Sequence, residues 1–128
     1  MSKPNYLLDT NSCIFLLART KPRLSERVEE AEPGSIAISA IVGAELAMGF
    51  GRAGAGGDAK FLQFLRTFPL LPFDEAAARA YARVPFKRGK FDRLIAAHAV
   101  ALDLPLVTSN VADFQDVPGL KLEDWSQP

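Results

Sequence analysis

Residues 91–108, Phe91-Asp92-Arg93-Leu94-Ile95-Ala96-Ala97-His98-Ala99-Val100-Ala101-Leu102-Asp103-Leu104-Pro105-Leu106-Val107-Thr108, decide the fold class. From Asp92 onward Leu94, Ile95, His98, Ala99 and Leu102 recur at helical spacing, and the many alanines let such a helix approach a sheet closely. Pro105 breaks that period and starts a short apolar strand, Leu106-Val107-Thr108. A helix feeding a strand through a short turn is the repeating unit of a parallel sheet.

The same unit recurs on either side. Tyr6-Leu7-Leu8 reads as a strand ending at Asp9, followed by helical turns from Ser12 to Ala18 with Thr10 or Asn11 as cap. Leu24 to Ala31 predicts a second helix, Pro33-Gly34 breaks the chain, and Ser35-Ile36-Ala37-Ile38-Ser39 predicts a second strand whose Ser39 caps the next helix. Ile41, Val42, Glu45, Leu46 and Gly49 share one face of that helix. Gly49 to Gly57 is expected to be a mobile connection, because so many glycines lose much entropy in a regular element. Helices at roughly 58–67 and 74–83 flank Leu70-Leu71-Pro72-Phe73, a candidate third strand. Past Thr108, Asn110 to Phe114 predicts a single helical turn, and Leu120-Lys121-Leu122 an edge strand before Trp125. The alternation implies an α/β fold with a parallel sheet and helices on both faces, without repeats or a second domain.

Composition narrows the function classes. At 128 residues, 48% hydrophobic and 23% charged, the chain has the length and make-up of one folded domain. Fifteen basic and fifteen acidic residues cancel, so polyanion binding must come from local patches. No apolar run approaches the roughly 20 residues of a membrane span, and Met1-Ser2-Lys3-Pro4-Asn5 has no long apolar stretch, so a cytoplasmic protein is expected. Cys13, the single cysteine, sits beside Ile14, Phe15 and Leu16 and reads as a buried thiol.

Ligand sites of parallel sheets form outside the carboxyl ends of the strands, and that rule sorts the acids. Asp9 ends strand one, Glu45 lies on the helix after strand two, Asp92 opens a helix, and Asp113 follows strand four by a short turn. Each has a plainer role: Asp9 as a cap or bend, Asp92 as an N-cap or first-turn acid, Asp113 as partner of Asn110 in a variant capping box. Glu45 is the least ordinary, since a carboxylate beside Ile41 and Val42 is costly unless it reaches solvent or a cation. Four converging carboxylates raise one another's pKa, so the cluster is sensible chiefly around a hard cation such as Mg²⁺ or Mn²⁺. Such ions support phosphodiester hydrolysis by polarising a phosphoryl oxygen and activating water. His98, well around its helix from Asp92, reads as structural.

These stretches carry a family resemblance. Tyr6 to Asn11, Ile38-Ser39 through Ala44-Glu45-Leu46, Phe91 to Ala99, Leu106 to Phe114 and the tail Pro118 to Trp125 resemble, in order, the motifs of PIN domains, most closely the VapC type of toxin ribonuclease. The resemblance spans nearly the whole chain and implies one domain over 1–128. It also implies a three-layer α/β/α fold on a mostly parallel sheet of four to five strands. It places Asp9, Glu45, Asp92 and Asp113 at the four catalytic acidic positions, holding one or two Mg²⁺ or Mn²⁺ ions and the attacking water. Thr10, Asn11, Thr108 and Asn110 match companions that orient the acids or the phosphate. A VapB-like antitoxin covering the acidic groove, and a homodimer, are further implications. Against many relatives, the segment from Ala82 to Phe91 is compressed where a longer Gly-Arg-Pro-Ile-Gly-like stretch stands.

Arg79, Arg83, Lys87, Arg88, Lys90 and Arg93 gather positive charge next to Asp92, and Lys87, Arg88, Lys90 and Arg93 are the candidate RNA contacts. Phe86 and Phe91 within that run either stack on bases or fill the core. Gly49 to Gly54 fits G-x-G-x-x-G but follows a helix, which rules out a dinucleotide fingerprint. A receiver domain needs an acceptor Asp on a middle strand and a Lys after the last, and neither is found. The remaining alternatives are an RNA-processing nuclease outside a toxin–antitoxin pair and a non-catalytic interaction module.

Overall fold

The computed structural model describes residues 3–88 and 90–128; Met1, Ser2 and Gly89, the last within the compressed segment, lie outside the described residues. The order of elements is β1 (Tyr6–Leu8), α1 (Thr10–Ala18), α2 (Pro22–Glu30), β2 (Ile36–Ser39), α3 (Ala40–Arg52), α4 (Gly57–Thr67), β3 (Leu70–Leu71), α5 (Glu75–Tyr81), α6 (Asp92–Leu102), β4 (Leu106–Val107), a 3₁₀ turn (Val111–Phe114) and β5 (Leu122–Glu123). The five strands are all parallel in the order β3-β2-β1-β4-β5. The chain moves outward from β1 to β3, then returns past β1 to lay down β4 on the other side. Right-handed crossovers therefore put α1 to α4 on one face and α5 and α6 on the other, giving three layers.

The core follows from the pattern. Leu7, Leu8, Ile38, Ile95 and Leu106 are fully buried, each stabilising the fold by about 1.5–3 kcal/mol. Ala96, Ala97 and Ala99 are also fully buried, and α6 packs chiefly on α5, with a smaller contact to α3. Tyr6 of β1 and Trp125, just past β5, pack edge to face at 4.8 Å.

Several boundaries differ from expectation for identifiable reasons. The glycine run is not one mobile loop, because α3 continues through Gly49 and Gly51 to Arg52. Phe50 holds that last turn by packing on Phe61 and Phe64 of α4 at 6.0 and 6.5 Å. Gly54 and Gly56 make the turn at φ values of 104° and 84°, and a Cβ on Gly57 would collide with the Phe50 carbonyl. β3 stops at Leu71, before Pro72, which has no N–H for a ladder. β5 starts two residues later and ends one later than expected, at Leu122–Glu123, and the Lys121 and Glu123 carbonyls accept from the Leu106 and Thr108 amides at 2.8 and 3.0 Å. Asp74 caps α5 by accepting from the Ala77 amide at 3.0 Å, and α2 begins at Pro22.

Candidate active site

The strand order reverses between β1 and β4, where Leu8 is in register with Val107, so Asp9 and Thr108 leave adjacent carboxyl ends at the switch point. The Asp9 amide donates to the Val107 carbonyl at 3.1 Å. Asp9 Oδ1 accepts from the Ser12 amide at 2.8 Å, and the Ser12 hydroxyl donates to the same Val107 carbonyl at 3.3 Å. Asp9, not Thr10 or Asn11, is thus the cap of α1, and the buried Asp9 carboxylate gains from that helix's N-terminal dipole. Asn11 is exposed on the first turn of α1.

Thr10 donates its hydroxyl to Glu45 Oε1 at 2.6 Å, tying α1 to the middle of α3. Asp92 stands in the first turn of α6, whose N-cap position is Phe91, and no side chain caps that helix. Its carboxyl is therefore not spent on the helix end. Burial raises the Asp92 pKa, and the charges of Asp9 and Asp113 raise it further, against the opposing pull of Lys90 and Arg93. Asp9, Asp92 and Asp113 thus share one electrostatic neighbourhood. The Cys13 thiol is pushed well up by burial first and then by Asp9, with Glu45 acting in the same direction, so Glu45 borders the same region.

Asn110 and Asp113 do not form the expected capping box. The Asn110 side-chain amide donates to Asp113 Oδ2 at 2.6 Å, while the Asn110 backbone amide donates to Thr108 Oγ1 at 3.0 Å. Thr108, fully buried, thereby sets the loop and Asn110 sets the acid.

Arg93 corrects another expectation. Offered as an RNA contact, it is only 2% exposed, with Nη1 donating to Asp116 at 3.0 Å and Nη2 donating to the Asp113 carbonyl. Its guanidinium is committed to holding the Asp113 loop. Lys87 lies 3.8 Å from Asp116, and Arg88 and Lys90 are exposed. A cleft of about 160 Å³ is lined by Lys87, Lys90, Asp92, Arg93 and Asp113, so cationic side chains border two of the acids. Neither Phe86 nor Phe91 fills the core, being 72% and 60% exposed.

Sequence reasoning missed Ser12, Asp116 and the role of Arg93. The last had a signal: Arg93, Ala96, Ala97 and Val100 fall on one helical stripe, and that stripe faces inward.

The donor set is wholly oxygen, and burial first, then the charges of Asp9 and Asp113, raise the Asp92 pKa more than Lys90 and Arg93 lower it. Both properties fit a hard divalent cation. Among the described residues no three Asp, Glu, His or Cys side chains stand close enough together to share one ion, so the acids form a neighbourhood rather than a finished cage.

The family model described as PIN domain matches residues 6–120. The chain belongs to the PIN-domain family. This PIN domain is 31% identical to ribonuclease VapC2 of Rickettsia felis, over 95% of the chain and 98% of the relative. It is 33% identical to the tRNA(fMet)-specific endonuclease VapC of Salmonella typhimurium, over 94% and 97%. Its fold matches the DNA-bound VapBC structure from Salmonella typhimurium with a TM-score of 0.84 at 28% identity, covering 95% of the chain and 98% of that one. It matches VapBC2 of Rickettsia felis bound to a promoter DNA fragment at 0.78 and 28%, covering 94% and 98%. All four predicted acids lie inside the matched PIN segment. No helix among the described residues is long and apolar enough to cross a membrane.

Proposed function

We propose that this PIN domain, spanning 1–128, is a cytoplasmic Mg²⁺- or Mn²⁺-dependent endoribonuclease acting as the toxin of a toxin–antitoxin pair. The reading is supported by the shared electrostatic neighbourhood of Asp9, Asp92 and Asp113 beside the β1–β4 switch point, with Glu45 tied to Thr10. The acidic neighbourhood of Asp9, Asp92 and Asp113, with Glu45 beside it, would attract the ion, which would neutralise charge on the phosphoryl oxygens and acidify the attacking water. The chain's own groups do the rest. Asn110 and the Arg93 guanidinium fix Asp113, Thr10 fixes Glu45, and Ser12 with the α1 terminus fixes Asp9. Lys87 and Lys90 line the cleft beside Asp92 and receive the RNA backbone. In-line attack of water on phosphorus leaves a 3′-hydroxyl and a 5′-phosphate.

An antitoxin segment is expected on the apolar cleft of about 410 Å³ lined in part by Ile14, Leu17, Leu46 and Phe50, because Thr10 and Glu45 stand at its edge. Ile14 and Leu17 are each 48% exposed, an apolar surface that favours a partner chain. A homodimer belongs to the same reading.

The deciding experiment incubates purified protein with total RNA in Mg²⁺, in Mn²⁺ and in EDTA, and maps the ends produced. Cleavage with either metal and none in EDTA is expected. Equal cleavage in EDTA defeats the metal mechanism, and intact RNA under all conditions defeats the nuclease reading.

A further inference from the structure

The two phenylalanines of the basic segment are the most exposed aromatic side chains of the described residues. Large apolar groups left in water flag a binding surface when they are clustered and rimmed by charge. Phe91 is clustered: with Ile41, Ala44, Glu45 and Met48 it lines an apolar cleft of about 290 Å³, and Met48 is itself 59% exposed. That cleft shares Glu45 with the acidic region on one side. On the other, Asp92 follows Phe91 directly and lines the cationic cleft with Lys87 and Lys90. An apolar slot and a cationic cleft therefore meet at Phe91 and Asp92.

Charge selects the occupant. The slot's one charged lining residue is Glu45, while the cations stand on the far side of Phe91, where Lys87 and Lys90 border Asp92. A polyanion carrying planar apolar groups matches both halves of the surface at once.

We propose that Phe91 and Met48 form a base-stacking subsite, in which the nucleobase beside the scissile phosphate leaves its own stack and lies against Phe91 while Lys87 and Lys90 hold the adjoining phosphate. The inference rests on the ribonuclease reading and makes Phe91 a specificity-determining residue of it. Stacking on an aromatic ring is tolerant of base identity, so the subsite selects unpaired RNA rather than one sequence.

The test separates stacking from charge by using two labelled single strands, one RNA of mixed sequence and one of equal length with abasic riboses, which keeps the phosphates and removes the bases. Binding is measured in an Asp92→Asn background so that the RNA survives. Phe91→Ala is expected to weaken the mixed-sequence strand by about 10- to 100-fold and to leave the abasic strand unchanged, while Phe91→Trp restores binding. Equal loss on both strands, or no loss on either, overturns the proposal. So does a Phe91→Ala protein whose mass by light scattering falls from dimer to monomer with RNA binding intact, which marks a contact between copies. A wild-type protein that cleaves no RNA yet binds it in a Phe91-dependent way keeps the subsite and defeats the nuclease reading alone.

Discussion

Thr10 and Glu45, 35 residues apart, are joined by a 2.6 Å hydrogen bond in which the Thr10 hydroxyl donates to Glu45 Oε1. The bond holds the Glu45 carboxylate in place, and under the proposed role of Glu45 as a ligand, groups that orient a ligating acid typically matter 10–100-fold. Thr10→Val, which keeps the shape and removes the donor, is expected to lower RNA cleavage by about 10-fold, while Thr10→Ser retains most of it. Unchanged cleavage by Thr10→Val would show that Glu45 needs no such positioning.

Asp92 carries a charge that burial and its neighbours Asp9 and Asp113 oppose. Asp92→Asn is therefore expected to abolish cleavage and, in EDTA, to raise the melting temperature. Mg²⁺ should then stabilise the wild-type protein and have little effect on the variant. A variant melting below wild type in EDTA would mean the carboxylate is already compensated.

Arg93 gives up solvent entirely to hold Asp116 and the Asp113 carbonyl. Hydrogen bonds from a charged donor contribute about 1.5–3 kcal/mol, so Arg93→Met is expected to cost about 2 kcal/mol in urea denaturation and to reduce cleavage by loosening Asp113. The Arg93 hydrogen bond also holds the Asp116 carboxyl below the usual carboxylate range. That contribution is complete at neutral pH and is lost as pH falls through the lowered Asp116 value, so Asp116→Asn should flatten the acid limb of stability. An RNA affinity that drops with Arg93→Met while stability holds would return Arg93 to the substrate surface.

His98 is buried with Nδ1 2.8 Å from Ser39 Oγ and its ring edge-on to Phe73 at 5.4 Å. Burial lowers its pKa from the ordinary 6.5, although Asp74 and the Pro72 carbonyl favour the charged form. The unfolded chain therefore takes up a proton near pH 6.5 that the folded chain refuses, so stability is full above that pH and declines as pH falls toward the lowered value. His98→Asn is expected to be less stable at pH 7.5 but to lose less between pH 7 and 5.5, read by denaturant midpoints at each pH. Parallel profiles for the two proteins would exclude His98 as the group responsible.

What the chain's order of residues determined by itself was the alternation of helix and strand, hence a parallel sheet, and the placement of Asp9, Glu45, Asp92 and Asp113 toward its carboxyl edge. Those properties follow from periodicity and turn chemistry, which act over a few residues. Tertiary structure alone decided which partner each polar group took. Arg93 reaches Asp116, Ser12 reaches Val107, and Thr10 reaches Glu45 across separations of 23, 95 and 35 residues. No local rule carries that information, because a side chain's partner depends on which distant element packs against it. The same physics left Phe91 in solvent and carried α3 into the glycine run, where Phe50 packing on α4 outweighed glycine's preference for irregular backbone.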